Sequence, residues 1–248
     1  MSGHSKWATN KRAKAITDAK RSAVFTKMSN LISIAARKGG DPTANFSLRM
    51  AIDKAKSASM PKENIERAIK RGTDELGGAV IEELIYEGIG PAKSQFIIKC
   101  LSDNKNRAAA EIRHLFSKYG GALGSVAWNF EQKGVIRITN DELNHPTSPL
   151  KGGAGVGEEF ELELIDAGAE DILREEEGIT IYTKMENLQK VKHFLDYKNI
   201  NAESVEIEHV AKENVEAPGE DKEKIEKFIE ELENNENVND YYHNIINI

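Results

Sequence analysis

Val80-Ile81-Glu82-Glu83-Leu84-Ile85-Tyr86-Glu87-Gly88-Ile89-Gly90-Pro91 is where the chain changes period. From here β-branched and aromatic residues run together, as strands prefer; upstream, apolar residues recur at helical steps of three and four. Residues 80–87 and 95–101 predict strands, and Gly88-Ile89-Gly90-Pro91 predicts the turn between them. Upstream, Val24, Phe25, Met28, Leu31, Ile32 and Ala35 share one helix face, and Gly39-Gly40 stops it. Asp41-Pro42 predicts the start of a second helix, with Asp as cap and Pro in the first turn. Leu48, Ala51, Ile52 and Ala55 form its apolar face. Pro61 opens a third helix, with Ile65, Ala68 and Ile69 inward and Gly72 at its end. Such helices form a bundle when their apolar stripes meet.

Downstream the pattern mixes both periods. Ala108, Ile112, Leu115, Phe116 and Tyr119 mark a helix over 104–119, ended by Gly120-Gly121. Val126, Trp128 and Phe130 alternate as a strand, and 135–139 predicts another. Residues 146–157 are a Gly/Pro-rich loop. Helices follow near 158–167, 186–197 and 221–234, with strands at 179–183, 204–209 and near 238–242. Linkers are expected near 72–79 and 132–135. The fold class is α+β: an N-terminal three-helix region, then two α+β regions.

Charge is divided unevenly. Residues 1–75 hold 16 Lys/Arg and 7 Asp/Glu, while the remainder holds 18 and 34. A basic end of +9 is thus joined to an acidic body of −16, together the chain's net −7. This division suggests a polyanion-binding end whose acidic body repels phosphates elsewhere. The plainer alternative is a basic face docked on the chain's own acidic part.

Catalytic and metal chemistry find little support. No His pair stands at ligand spacing, no Gly-rich loop is followed by Gly-Lys-Ser/Thr, and no Ser sits in G-x-S-x-G spacing. Glu158, Glu159, Glu161 and Glu163 do not share one helix face, so a solvated acidic surface is expected. His114 reads as a structural histidine beside a buried stripe. Glu175-Glu176-Glu177 reads as an exposed turn. The single Cys100 lies in an apolar run, which excludes an internal disulfide and suits a reducing, cytoplasmic setting. No run approaches the ~20 apolar residues of a membrane span, and the N-terminus has no secretory apolar segment. The expectation is a protein without catalysis, cofactor, metal, small-molecule substrate or membrane contact; oligomeric state is not legible.

The candidate contact residues are His4, Lys6, Trp7, Lys11, Arg12, Lys14, Lys20, Arg21 and Lys27. Cations neutralise phosphates and release counterions. Trp7 offers a stacking surface for an unpaired base, or an anchor against the bundle. Asn104, Asn106 and Arg107 form a second candidate at a strand-to-helix junction, where helix N–H groups can meet a phosphate. Ordinary capping by Asp103 or Asn104 is the competing reading.

The same residues resemble the YebC/PmpR family. The likeness begins with Gly3-His4-Ser5-Lys6-Trp7, Asp18-Ala19-Lys20-Arg21 and Phe25-Thr26-Lys27. It continues through Gly39-Gly40-Asp41-Pro42, Ala51-Ile52-Asp53-Lys54-Ala55-Lys56 and Met60-Pro61-Lys62-Glu63-Asn64-Ile65-Glu66-Arg67-Ala68-Ile69. Tyr86-Glu87-Gly88, Gly90-Pro91, Asp103-Asn104, Ser125-Val126-Ala127-Trp128, Ala167-Gly168-Ala169-Glu170-Asp171 and Tyr242-His243-Asn244 extend it over nearly the whole chain. The resemblance implies three domains: a basic helical domain at 1–76, an α+β domain at 77–134 plus 206–248, and a second α+β domain at 135–205 inserted into the first. It also implies non-enzymatic, DNA-binding regulators of transcription; other members look like translation factors that meet rRNA or tRNA on the ribosome and relieve stalling at proline-rich sequences. Three departures stand out. Ala92-Lys93 follow Gly90-Pro91 where the family usually has small residues, often Gly-Gly. The turn from Gly120 to Ser125 is short, and 144–157 form an unusual loop.

Overall fold

The computed structural model describes residues 18–75, 80–143 and 158–246. In chain order these begin with helices α1 (Asp18–Ala36), α2 (Phe46–Ser57) and α3 (Lys62–Gly72). Then come β1 (Glu82–Ile89), β2 (Gln95–Ser102), α4 (Lys105–Lys118) and β3 (Ala122–Leu123). Next are β4 (Phe130–Thr139), the short α5 (Asn140–Leu143), α6 (Glu158–Ala167), β5 (Ala169–Arg174), β6 (Gly178–Thr183), α7 (Leu188–Tyr197) and β7 (Ser204–Ala211). β8 (Val215–Glu216), α8 (Gly219–Asn234), β9 (Val238–His243) and β10 (Ile245–Ile246) close the chain. The fold is α+β. It divides into two compact units: one is Phe130–Lys212, and the other joins the described residues before 130 to those after 212.

In the discontinuous unit, α1, α2 and α3 bury the stripes the spacing predicts. Met28, Ile32, Leu48, Ala51, Ile52, Ala55, Ile65 and Ala68 share one cluster, with Phe25, Leu31 and Ile69 packed against it. The start of α2 differs from expectation. The Asp41 carboxylate turns onto Thr43, accepting from its N–H and hydroxyl at 2.8 Å each. Asn45 caps the helix instead, accepting from Leu48 N–H at 3.1 Å and donating to the Ala35 and Gly39 carbonyls. An Asp that closes its own turn cannot reach the first helical N–H groups four residues later.

The first sheet has the order β3-β1-β2-β9. β1 and β2 pair antiparallel, Leu84 opposite Cys100, and β9 joins the other edge of β2. Helices α4 and α8 supply its cover: Phe96, Phe116 and Phe228 meet edge to face, with Ile112, Ile225 and Leu232 around them. Cys100 is buried here. Burial and then the Glu111 charge push its thiol pKa up to about 12, so it stays a protonated core residue, as expected.

Ala92 and Lys93 complete the turn between β1 and β2 with φ of +54° and +60°. A Cβ in this region crowds the following carbonyl, which is the physical sense of the glycines usual at these positions. Replacing both by glycine is expected to stabilise the protein by about 1–2 kcal/mol, after the greater unfolded-state entropy of glycine is allowed for. Urea unfolding would measure it; an unchanged or lower midpoint would show that the turn is unstrained.

His243 lies against the rings of Phe96 and Tyr241, and its Nδ1 accepts from Ile245 N–H at 3.2 Å. Burial drives its pKa down from 6.5 to about 4. Because the unfolded chain takes the proton first, this ring's contribution is complete above about pH 6.5 and is lost as pH falls toward 4. The loss is up to about 3 kcal/mol. The stability of wild type should therefore fall more steeply from pH 7 to pH 4 than that of His243→Phe. Parallel pH profiles would remove His243 from the account.

One expected strand is absent. Residues 126–130 do not form a continuous strand: Ala127–Asn129 make a single 3-10 turn, and β4 begins only at Phe130. The Glu87 carboxylate takes the Val126 and Ala127 N–H groups at 2.7 and 2.8 Å. Asn129 donates to Gln95 and to the Glu213 carbonyl, and accepts from Glu213 N–H. These side chains satisfy the backbone sideways, where a ladder would otherwise do so. Trp128 is 60% exposed as a result.

The second unit is a four-stranded antiparallel sheet, β5-β6-β4-β7, with the buried residues of α5, α6 and α7 all on one face. Ile136, Ile138, Ile179 and Ile181 meet Phe160, Leu164, Val191 and Leu195 there. The expected linker at 132–135 falls inside β4, whose ladder with β7 runs from Phe130 opposite Ala211 to Arg137 opposite Ser204. Cuts at 134/135 and 205/206 would sever that ladder, so the compact unit begins at Phe130 and ends at Lys212. β5 has no alternating apolar pattern and escaped periodicity; it is an edge strand with a register shift at Ala169/Asp171.

Candidate nucleic-acid interface

His4, Lys6, Trp7, Lys11, Arg12 and Lys14 lie outside the described residues. Lys20 and Arg21 fall in the first turn of α1. Lys27 is engaged by the protein itself. Its Nζ donates to the Glu233 carbonyl at 2.8 Å, in the last turn of α8, where unpaired carbonyls carry partial negative charge. Burial lowers its pKa, and the nearby Glu233, Asp240 and Glu236 carboxylates act in the opposite direction. For Lys27 the plainer reading, a basic residue docked on the acidic part, is what the structure contains.

At the second candidate, Asn104 caps α4, accepting from Arg107 N–H at 3.0 Å. Arg107 pairs with Asp103 at 3.0 Å and approaches Glu111 at 4.0 Å. Asn106 is exposed in the first turn of the helix. The cap is ordinary, and the one cation is shared between two carboxylates. His114 is exposed on the outer side of α4, contrary to the expected structural role: Ala108, Ile112, Leu115 and Phe116 point the other way. On α6, Glu161 pairs with Arg174 and Glu163 with Lys198, at 2.7 Å each, so these carboxylates are held apart.

Four exposed cations of the helical region stand outside the set that the sequence singled out. Residues 18–75 hold 12 Lys/Arg against 7 Asp/Glu. Arg37, Lys38, Arg67 and Lys70 are exposed and form no ion pair with a described carboxylate. The end of α3 packs on the end of α1: Gly72 lies so close that a Cβ there would stand 2.3 Å from the Ser33 carbonyl. Arg71 bridges the two helices. Its Nε donates to Ser33 Oγ at 3.0 Å, and one terminal nitrogen donates to Asn30 Oδ1 at 2.9 Å and Ser29 Oγ at 3.3 Å. The only sequence signal was the pairing of Arg37-Lys38 with Lys70-Arg71 at the ends of two helices. It has no meaning until those ends meet.

Comparison with known proteins places this arrangement. Residues 5–75 match the TACO1/YebC protein N-terminal domain, and 81–245 match the TACO1/YebC second and third domain. A "Probable transcriptional regulatory protein" of Thermoanaerobacter pseudethanolicus is 43% identical over 249 residues, covering 99% of this chain and 97% of the relative. A protein of the same description from Thermotoga maritima is 46% identical over 248 residues, covering 98% and 93%. The crystal structure of the conserved hypothetical protein Aq1575 from Aquifex aeolicus superposes with a TM-score of 0.80 at 38% identity, over 94% of this chain and 93% of that one. Matched over nearly its whole length in sequence and in fold, the chain belongs to the TACO1/YebC family.

Proposed function

We propose that this chain is a non-enzymatic, DNA-binding regulator of transcription that meets the phosphate backbone through its N-terminal helical region. The observation that carries the reading is the set of exposed cations on α3 and in the turn after α1, unpaired among the described residues, in the same basic third of the chain as segment 1–17. The remainder of the chain carries the opposite charge. Unpaired cations collected on one region bind polyanions by counterion release. The regulator description borne by the relatives agrees with this. The separate apolar cluster of α1–α3 supports treating 1–76 as a domain of its own, followed by two α+β domains. Among the described residues no helix is long and apolar enough to cross a membrane.

The test is a salt titration of binding to duplex DNA. The intact protein is compared with a variant carrying Lys11, Arg12, Lys14, Lys20 and Arg21 changed to Glu. The intact protein should bind with a steep salt dependence, and the variant should lose about three orders of magnitude or more in affinity. Footprinting should then reveal a preferred duplex site. An intact protein that ignores duplex DNA at low salt overturns the reading. Tighter binding to ribosomes than to any duplex would move the target to rRNA or tRNA.

A further inference from the structure

Arg71 is a cation whose described partners are all neutral. Three side-chain oxygens of α1 hold it: Ser33 Oγ, Asn30 Oδ1 and Ser29 Oγ. No described carboxylate pairs with it, although it is partly withdrawn from water between two helices. Burial lowers its pKa. The mounting is firm. Ser33 is buried, and its Oγ lies 2.8 Å from both the Ser29 and Ala68 carbonyls, so its one O–H is shared between them while it accepts from Arg71. Arg67 stands one turn before Arg71 on α3, and Arg37 lies in the turn immediately after α1. Both are exposed and unpaired among the described residues. Two further arginines thus stand close in sequence to the residues that form the seam, one on α3 and one just past the end of α1.

We infer that this seam is a backbone-phosphate clamp, with Arg71 fixing the position of one phosphate and Arg37 and Arg67 holding its neighbours. The inference rests on the proposed nucleic-acid function and says where the contact lies. A planar guanidinium held by neutral oxygens keeps its charge and its remaining N–H donors for a phosphate, and its orientation is set before the ligand arrives. A purely structural tie between α1 and α3 would not need the charge or the flanking arginines.

The test uses the full chain and a short mixed-sequence DNA duplex across a salt series. Arg37→Gln with Arg67→Gln removes two exposed charges without touching the helix contact. It should lower affinity about tenfold or more and reduce the slope of log K against log salt by about 2. Arg71→Lys keeps the charge but loses the fork, so its affinity should fall with little change in slope; Arg71→Gln should lose both, and thermal unfolding shows whether either variant is intact. Lys118→Gln, a charge paired with Glu231, should bind as wild type. If the double variant keeps wild-type affinity and slope while the five-fold N-terminal variant loses binding, the seam is not a contact and the clamp is overturned, though the proposed function stands. If wild type binds no duplex, both fall.

Discussion

Glu208→Ala should be among the most damaging single substitutions in this protein, destabilising the 130–212 unit by about 3–5 kcal/mol. Arg137 lies on the sheet face opposite the apolar cluster, and its guanidinium meets the Glu208 carboxylate end to end at 2.6 and 3.0 Å. Both side chains are almost wholly buried. Burial works against the charge on Arg137, and the Glu208 carboxylate outweighs it, so the arginine's pKa is raised. Without Glu208 a full positive charge is left in a dry site. Arg137 Nε already finds no hydrogen-bond partner there. Arg137→Met with Glu208→Leu removes both charges together and should cost much less than the single change, because a buried pair exchanged for apolar residues is often nearly neutral. Urea unfolding of the three proteins measures this. A Glu208→Ala cost below about 1 kcal/mol would mean that water reaches the guanidinium and that the site is not dry.

The second large effect is expected at Gly72. A Cβ there would stand 2.3 Å from the Ser33 carbonyl and 2.7 Å from the Ala36 Cβ, and the first of these contacts is with backbone that cannot rotate away. Gly72→Val must push α3 off α1, at about 3 kcal/mol, the upper part of the overpacking range. The separation also pulls Arg71 from Ser29, Asn30 and Ser33. Stability and duplex affinity should therefore fall together in this variant, whereas Arg37→Gln with Arg67→Gln should lower affinity alone. Thermal unfolding beside the salt titration separates the two cases. A Gly72→Val protein as stable as wild type would show that the helices have slack at their crossing.

Most of the element types were legible because each rested on a local cause. The stripes of α1, α2, α3 and α4 and the apolar runs of β1, β2 and β6 are patterns in which a residue's own neighbours carry the signal. Caps and turns were less legible where two local solutions compete. Asp41 and Asn45 are both good caps, and only the turn closed with Thr43 removes Asp41 from the contest. The alternation Val126, Trp128, Phe130 failed for a different reason: Glu87, some forty residues away in sequence, claims the backbone N–H groups that a strand would have used.

The sequence by itself determined the α+β class, the helical start, the position of Cys100 in the core and the division of charge between the two ends, because periodicity, hydrophobicity and charge belong to residues wherever they fold. The tertiary structure alone decided which cations are committed and which remain available. Lys27 is held by the last turn of α8, Arg107 by two carboxylates, and Arg71 by three neutral oxygens, while Arg37 and Arg67 are exposed. Whether a charge is available depends on what stands within a few ångströms of it. For these residues most of those neighbours come from other elements, which spacing along the chain does not encode.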